Sequence, residues 1–173
     1  ARGENIGQGS LDFIYKSNYG EYIDVAKKIL NNYSEKIVMP VDLGYVRDGN
    51  RMECRVGSVP KDIAAVDIGS ETANLYKEII MNAKTVFVNG PMGVFENPVS
   101  ELGTKTVWDA LGDTKAYTVI GGGDSITATT KYQKTDKISY ICTGGGALIR
   151  FLTGEELPVV SALRSAAKRF GGN

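Results

Sequence analysis

The spacing of apolar residues predicts an amphipathic helix near the start of the chain and a strand after it. Between Tyr22 and Tyr33, apolar side chains recur at helical spacing with charged and amide side chains between them, as on a helix with one buried face. The following run, residues 36–43, is mostly apolar and is expected to form a strand. Its Pro40 has no amide hydrogen to donate, which favours a strand end or a bulge there.

The middle of the chain reads as a hairpin or excursion loop followed by a helix. Residues 44–61 are polar, and Asp48-Gly49-Asn50 within them is typical of a turn. Apolar residues then recur at helical spacing, so a helix is expected from Ser70, its predicted N-cap, to about Asn82.

From residue 85 onward, short β-branched runs alternate with helical patterns. The predicted strands are 85–88, 117–120 and 138–142, and the predicted helices are 103–111, 125–132, 147–152 and 159–170. This alternation indicates βαβ units and a parallel sheet covered on both faces. We therefore interpret the fold as α/β, a doubly wound, Rossmann-like parallel sheet. Trp108, at helical spacing with Leu111, is expected in its core.

Each of the three predicted parallel strands ends in a glycine-rich turn. These turns are residues 89–93 (NGPMG), 121–125 (GGGDS) and 143–147 (TGGGA). In an open parallel sheet they would meet at the carboxyl edge, where the following helices present free amides and positive dipole ends. Glycine lets the backbone approach an anion closely, although a single such turn also uses glycine simply for packing. Three turns at one edge favour a phosphate-binding site.

The turns match neither of two common nucleotide-binding motifs. The dinucleotide motif GxGxxG needs a small residue where the chain has Ile126 and Ile149, which disfavours a dinucleotide-dependent oxidoreductase. A Walker A loop needs a Gly-Lys pair, and the sequence has none. Each of two acidic residues has two possible roles. Asp124 is either a helix N-cap or a magnesium ligand, and Glu96 is either a solvated loop charge or an acceptor for ribose hydroxyls.

The composition excludes several classes of function. The 173 residues carry 20 basic and 20 acidic side chains and no histidine. The charges are balanced and dispersed, so the sequence shows no broad basic surface that would bind nucleic acid or an anionic membrane. No apolar run approaches the roughly 20 residues that span a bilayer. Without histidine, the usual nucleophile pairs are excluded, so an enzyme of this composition needs chemistry with little proton transfer. Cys54 and Cys142 form no CxxC pair and are expected to be buried thiols of a cytoplasmic protein.

Five motifs, in order, resemble phosphoglycerate kinase, and together with Asn5-Ile6-Gly7 the resemblance covers essentially the whole chain. The motifs are residues 39–42 (MPVD), 66–72 (VDIGSET), 88–96 (VNGPMGVFE), 120–125 (IGGGDS) and 139–147 (SYICTGGGA). Residues 44–57 and 147–152 look more like archaeal-type members. The family is a two-domain glycolytic enzyme that transfers a phosphoryl group between 1,3-bisphosphoglycerate and MgADP, giving 3-phosphoglycerate and MgATP. The resemblance implies that residues 1–173 are its C-terminal, nucleotide-binding domain, without its first strands and without the N-terminal substrate domain.

The resemblance also implies roles for the residues of the glycine turns. The adenosine site would include Asn89, Pro91, Val94 and Glu96, with Glu96 on the ribose hydroxyls and with Ala65, Val66 and Leu11 near the adenine. Asp124 would hold Mg²⁺, and Ser125 with the N-terminus of its helix would receive phosphate oxygens. Gly121 and Gly144 would also bind the nucleotide, with Gly144 beside the transferred phosphoryl group. The catalytic positions around the transferred phosphoryl group would be Gly122, Gly123, Gly145 and Gly146.

These implications fit the composition. The groups that exchange the phosphoryl group are already ionised at neutral pH, so a domain without histidine can serve this chemistry. Because the family's substrate domain and phosphate-binding lysines are not in this chain, we expect the chain alone to be inactive. We also expect exposed apolar faces and unpaired strand edges, and hence self-association, binding of the missing part or marginal stability. The alternative is a non-catalytic nucleotide-binding or interaction module, which would bind MgADP without transfer even beside the N-terminal half.

Overall fold

The chain folds into an antiparallel and a parallel three-stranded sheet with helices beside them, and the structure, a computed structural model, describes residues 1–171. The antiparallel sheet has the order β2-β1-β3 and the parallel sheet the order β4-β5-β6. The strands are β1 Asp42–Arg47, β2 Asn50–Arg55, β3 Ala65–Ile68, β4 Thr85–Asn89, β5 Tyr117–Gly121 and β6 Tyr140–Cys142. The helices are α1 Gln8–Lys16, α2 Ile23–Asn32, α3 Ser70–Asn82, α4 Leu102–Asp113, α5 Gly123–Lys131, α6 Gly145–Leu152 and α7 Pro158–Phe170. Within residues 1–171, no helix has the length and apolar character needed to cross a membrane.

The predicted parallel sheet is confirmed. Its three strands and the helices α4 to α7 begin and end within two residues of the predicted bounds, and β5 pairs in parallel with both neighbours. The hairpin predicted for residues 44–61 is also confirmed. It consists of β1 and β2, which turn at Asp48 and Gly49, both with positive φ (51° and 76°).

Near the start of the chain, one prediction was wrong and one helix was missed. Only the last two residues of the run 36–43 lie in a strand. A 3-10 turn covers Ser34–Lys36, and β1 begins at Asp42. Pro40 has no amide to donate to a ladder, and the amide of Val41 donates to the Thr72 hydroxyl (3.0 Å) instead of to a neighbouring strand. Helix α1 was not predicted.

The hydrophobic core lies on one face of the parallel sheet. Val88 and Ile120 of that face pack against α3, α4 and α5, and Trp108 at the centre is fully buried, as predicted. The opposite face is largely open in the described residues, since Phe87 and Tyr140, the register partners of Val119 on its two sides, are 41% and 54% exposed. The expected apolar exposure is therefore present on this face of the sheet.

Two of the five sequence motifs meet at the start of α3. The buried carboxylate of Asp42 accepts hydrogen bonds from the amides of Thr72 (2.8 Å) and Glu71 (3.0 Å), and so caps this helix from β1. Burial opposes ionisation, but a hydrogen bond from the Thr72 hydroxyl, the two amide hydrogen bonds and the charge of Arg55 together lower the pKa of Asp42 below its ordinary value. The N-cap residue itself is Gly69, not the predicted Ser70, and a Cβ at Gly69 would overlap the Asp42 carboxylate.

Candidate active site at the carboxyl edge of the parallel sheet

The three glycine-rich turns lie at one edge of the parallel sheet. Asn89, Gly121 and Cys142, the last residues of β4, β5 and β6, are register partners across the sheet. The turns that follow them therefore leave the sheet at the same level. The second turn continues into α5 and the third into α6, so two helix N-termini face this edge, as the sequence predicted.

The turns pack closely against one another. The Gly90 amide donates a hydrogen bond to Ser125 Oγ (2.7 Å), which joins the first turn to the start of α5. Gly122, the residue that precedes α5, has a φ of 93°, and a Cβ on it would lie 2.7 Å from Asn89 Oδ1. A Cβ on Gly145 would lie 3.0 Å from the Gly122 Cα. The first turn is thus joined to the second, and the second to the third, by short contacts.

The glycines of these turns fall into two groups. Packing or positive φ explains the absence of a side chain at Gly122 and Gly145. Neither explains it at Gly123 or Gly146, where a Cβ would meet no heavy atom within 4 Å and φ lies outside the left-handed region. Space is therefore open above these two residues, next to the helix N-termini.

The first turns of α5 and α6, which hold Gly123 and Gly146, contain six backbone amides without an intrahelical acceptor. The first amides bonded within α5 and α6 are those of Ile126 (3.1 Å to the Gly122 carbonyl) and Leu148 (2.8 Å to the Gly144 carbonyl). The amides of residues 123–125 and 145–147 precede them and have no intrahelical acceptor. With the positive dipole ends of both helices, they form a surface that suits an anion such as a phosphate.

Asp124 is not the N-cap of α5. It is the second residue of the helix and is exposed, and no side chain caps this N-terminus. A carboxylate in the first turn interacts favourably with the helix dipole without capping it. The described residues include no group of three or more His, Cys, Asp or Glu side chains that could hold a metal ion. A cation at Asp124 would therefore take most of its oxygen ligands from water or a bound molecule.

Ser125 connects the edge to the core. Its side chain is fully buried, and its carbonyl accepts a hydrogen bond from Thr129 Oγ1 (2.8 Å). Thr129 Oγ1 in turn accepts the Trp108 indole N–H (2.9 Å). The buried Ser125 hydroxyl accepts the Gly90 amide, and the backbone N–H of Ser125 is one of the amides without an intrahelical acceptor.

The loop after β4 is held against the antiparallel sheet. The Val94 amide donates to the Val66 carbonyl (2.9 Å), which brings together two residues expected near the nucleoside, with Ala65 preceding Val66 on β3. The buried Thr104 hydroxyl accepts the amides of residues 92 and 93 (3.2 and 3.3 Å). Pro91 is half-buried in this loop, whereas the side chain of Val94 is exposed.

Two residues beside this loop were missed by the sequence reasoning. The Lys131 ammonium at the end of α5 forms an ion pair with Glu101 (2.7 Å) and donates to the Phe95 carbonyl. The Tyr132 hydroxyl also donates to Glu101 (3.1 Å). The hydrogen bond from Lys131 lowers the pKa of Glu101, against the smaller opposing effect of its burial. Glu96 follows the buried Phe95 and is exposed. No pattern in the sequence links Lys131 to a loop so distant along the chain.

Other candidates lie apart from the edge. Leu11 lines an apolar cavity of about 470 Å³ between α1, α2 and β1, together with Leu43 and Val56, and no residue of the glycine turns lines that cavity among the described residues. Cys54 and Cys142 are free thiols and are half-buried, so they are less buried than expected.

Comparison with known sequences identifies relatives of the chain. The family described as phosphoglycerate kinase matches residues 1–155. The phosphoglycerate kinase of Methanothermus fervidus is 40% identical over 169 residues, which cover 98% of this chain and 41% of the relative. That of Methanothermobacter thermautotrophicus is 42% identical over 164 residues, which cover 95% of this chain and 40% of the relative. The chain thus spans about two-fifths of the length of these relatives.

Solved structures agree with the sequence matches. A crystal structure of phosphoglycerate kinase from Pyrococcus horikoshii superposes with a TM-score of 0.87 at 38% identity, over 98% of this chain and 42% of that one. Phosphoglycerate kinase from Coxiella burnetii gives a TM-score of 0.82 at 31% identity, over 98% of this chain and 43% of that one. Sequence and fold agree over nearly the whole length, and the chain belongs to the phosphoglycerate kinase family.

Proposed function

We propose that the carboxyl edge of the parallel sheet binds ADP or ATP as its magnesium complex. In the whole protein this site would serve phosphoryl transfer between 1,3-bisphosphoglycerate and ADP, giving 3-phosphoglycerate and ATP. The observation that carries the proposal is the open space above Gly123 and Gly146, which neither packing nor positive φ explains. A phosphate group would fill this space and accept hydrogen bonds from the amides at the two helix N-termini.

The nucleoside would lie towards the loop after β4. Asn89, Pro91, Val94 and Glu96 would contact the adenosine, with Glu96 accepting the ribose hydroxyls. The hydrogen bond between Val94 and Val66 supports this assignment, because it fixes the exposed loop beside the β3 residue expected near the adenine. Gly121 and Gly144, which flank the open space in sequence, would approach the phosphates with their backbone.

Asp124 would hold the Mg²⁺ of the nucleotide. Magnesium prefers oxygen ligands and is commonly held by one or two carboxylates together with substrate phosphates and water. A single exposed carboxylate in the first turn of α5, beside the amides expected to bind phosphate, fits this mode of binding. Bound magnesium would neutralise charge on the phosphate oxygens.

The chain's own contribution to transfer would be positioning and charge stabilisation. Amides around Gly122, Gly123, Gly145 and Gly146 would hold the transferred group in line and stabilise its equatorial oxygens. The three turns contain no lysine or arginine, so the charge of a phosphoglycerate would need cations from elsewhere in a longer protein. We therefore expect no turnover of phosphoglycerate by these 173 residues alone.

Calorimetric titration with ADP tests the site. The chain should bind ADP more tightly with Mg²⁺ than without it. Asp124→Asn should remove the magnesium effect and keep magnesium-free binding, whereas Asp136→Asn, a matched change in the 3-10 turn Thr135–Lys137, should alter neither. Absence of ADP binding in magnesium, or a magnesium effect that survives in Asp124→Asn, would contradict the proposal.

A further inference from the structure

Lys131 contacts the backbone of the loop that carries Glu96. Its ammonium donates to the Phe95 carbonyl, the oxygen of the peptide group that joins Phe95 to Glu96. Because a peptide group is planar, fixing its carbonyl direction also fixes the direction in which the chain enters the Glu96 Cα. Lys131 therefore constrains the backbone orientation of Glu96 without contacting its side chain.

The ammonium is itself held in place from several sides. Glu101 lies 2.7 Å away, and the Tyr132 hydroxyl donates to the same Glu101 oxygen (3.1 Å). The ammonium also lies 5.7 Å from the centre of the buried Phe95 ring and 5.5 Å from that of Tyr132, within the range of cation–π attraction. A lysine with these partners loses much of the freedom that a solvent-exposed lysine keeps.

Helix α5 thereby joins the two halves of the candidate site. Its first turn carries Asp124 and the amides of the open space, and its last residue is Lys131. A helix of this length extends about 12 Å, a distance comparable to the span of an extended nucleotide. One rigid element thus connects the region expected to bind phosphates with the loop expected to bind ribose.

We propose that Lys131 is a positioning residue for nucleoside recognition, which orients Glu96 towards the ribose hydroxyls through the Phe95–Glu96 peptide group. This inference rests on the proposed nucleotide site. It assigns Lys131 no contact with the nucleotide and no part in the transfer step.

Lys134 provides a matched control in the same region. It follows α5 closely and forms an ion pair with Asp109 (2.8 Å), and its side chain is less exposed than that of Lys131 (21% against 35%). None of its hydrogen bonds or ion pairs in the described structure reaches residues 93–97. Lys134→Met therefore removes a comparable charge and ion pair but leaves the peptide group before Glu96 held by Lys131.

The test compares ADP with 2′,3′-dideoxy-ADP, which lacks the ribose hydroxyls from which Glu96 would accept hydrogen bonds. Calorimetric dissociation constants are measured for the wild-type chain, Lys131→Met and Lys134→Met, each checked for folding by circular dichroism. We expect wild type and Lys134→Met to prefer ADP by about 10- to 100-fold, as for hydrogen bonds to a charged group. In Lys131→Met this preference should fall to within about threefold, while affinity for the dideoxy nucleotide changes little.

A second measurement covers the case in which Lys131→Met is poorly folded. Hydrogen exchange of residues 93–97 in the full chain should be faster in Lys131→Arg than in Lys134→Arg, since a planar guanidinium does not reproduce the point contact of the ammonium.

The outcomes separate the two proposals. If wild type binds no ADP, the proposed function and this inference both fail. If wild type prefers ADP and Lys131→Met keeps that preference, the inference alone is overturned. A folded Lys131→Met chain that loses affinity for both nucleotides equally also overturns it, because that pattern indicates a general structural role.

Discussion

Replacing Gly146 with alanine should stabilise the protein and weaken nucleotide binding at the same time. A Cβ at this position of α6 meets no heavy atom within 4 Å, and φ lies outside the left-handed region. A Gly→Ala change at such a compatible position restricts the unfolded chain and stabilises the fold by about 0.4–1 kcal/mol. For a protein of this length, that corresponds to a rise in Tm of about 1–4 °C.

The same methyl group would occupy the space assigned to a phosphate. Losing one amide-to-phosphate hydrogen bond, in which the acceptor is charged, costs about 1.5–3 kcal/mol. Affinity for ADP should therefore fall about 10- to 150-fold. Gly145→Ala is the contrasting variant, because its Cβ would lie 3.0 Å from the Gly122 Cα. That crowding should lower stability by about 1–3 kcal/mol.

Thermal unfolding followed by circular dichroism, and titration with MgADP, give both quantities for each variant. The decisive result is a higher Tm together with a lower affinity for ADP in Gly146→Ala. If alanine raises stability at this position, folding does not require the glycine. A Gly146→Ala protein with wild-type affinity for ADP would refute the assignment of this space to phosphate. A lowered Tm in the same variant would refute the claim that packing leaves the position free.

Three further predictions concern stability and association. Ionised Asp42 caps α3 with a lowered pKa, so its contribution is complete above the ordinary carboxyl pKa and is lost as pH falls through the lowered folded-state pKa. Asp42→Asn should therefore lose about 1–3 kcal/mol at neutral pH and flatten the acid limb of stability measured by urea unfolding. Thr129→Val would leave the buried Trp108 indole N–H without its acceptor. Urea unfolding should show that the free energy of unfolding falls by about 1–3 kcal/mol. An unchanged free energy would contradict a stabilising hydrogen bond between Trp108 and Thr129. The open sheet face and the unpaired edge of β4 predict self-association of the chain, and Phe87→Lys should weaken it about 10- to 100-fold in sedimentation. A monomeric wild-type chain would disprove this last expectation.

Local patterns were sufficient where one short segment determines the structure. The run from Ser70 to Asn82 has helical spacing and forms α3 over that range, and Trp108 was assignable to the core from its place on a helical pattern. The shared edge of the glycine turns was also predictable, because parallel strands place their carboxyl ends together.

Contacts between distant segments could not be read in this way. Asp42 caps α3 from another strand, so the cap expected at Ser70 is displaced by a carboxylate far away in sequence. Asp124 has the residue type of an N-cap, but Gly122, with φ of 93°, takes that position and moves Asp124 into the helix. The partners of Lys131 become visible only when α5 is packed beside the loop.

The structure distinguishes two kinds of glycine in the glycine-rich turns that the sequence does not distinguish. In the sequence, the GGG runs at 121–123 and 144–146 are uniform, and nothing in them separates the glycines needed for packing from those that face open space. In three dimensions, Gly122 and Gly145 contact each other and Gly123 and Gly146 face open space. The distinction depends on which side of the backbone is occupied, and no one-dimensional pattern carries that information.

Trp108 also has a practical consequence. It is the single tryptophan of the chain, it is fully buried, and its indole N–H is bonded to Thr129, whose own hydroxyl reaches the Ser125 carbonyl. Its fluorescence therefore comes from one site and one environment. An emission spectrum, which moves to longer wavelength when an indole meets water, would report the integrity of the contact between α4 and α5. The chain thus carries an intrinsic optical probe two hydrogen bonds away from the start of the helix expected to meet the phosphates.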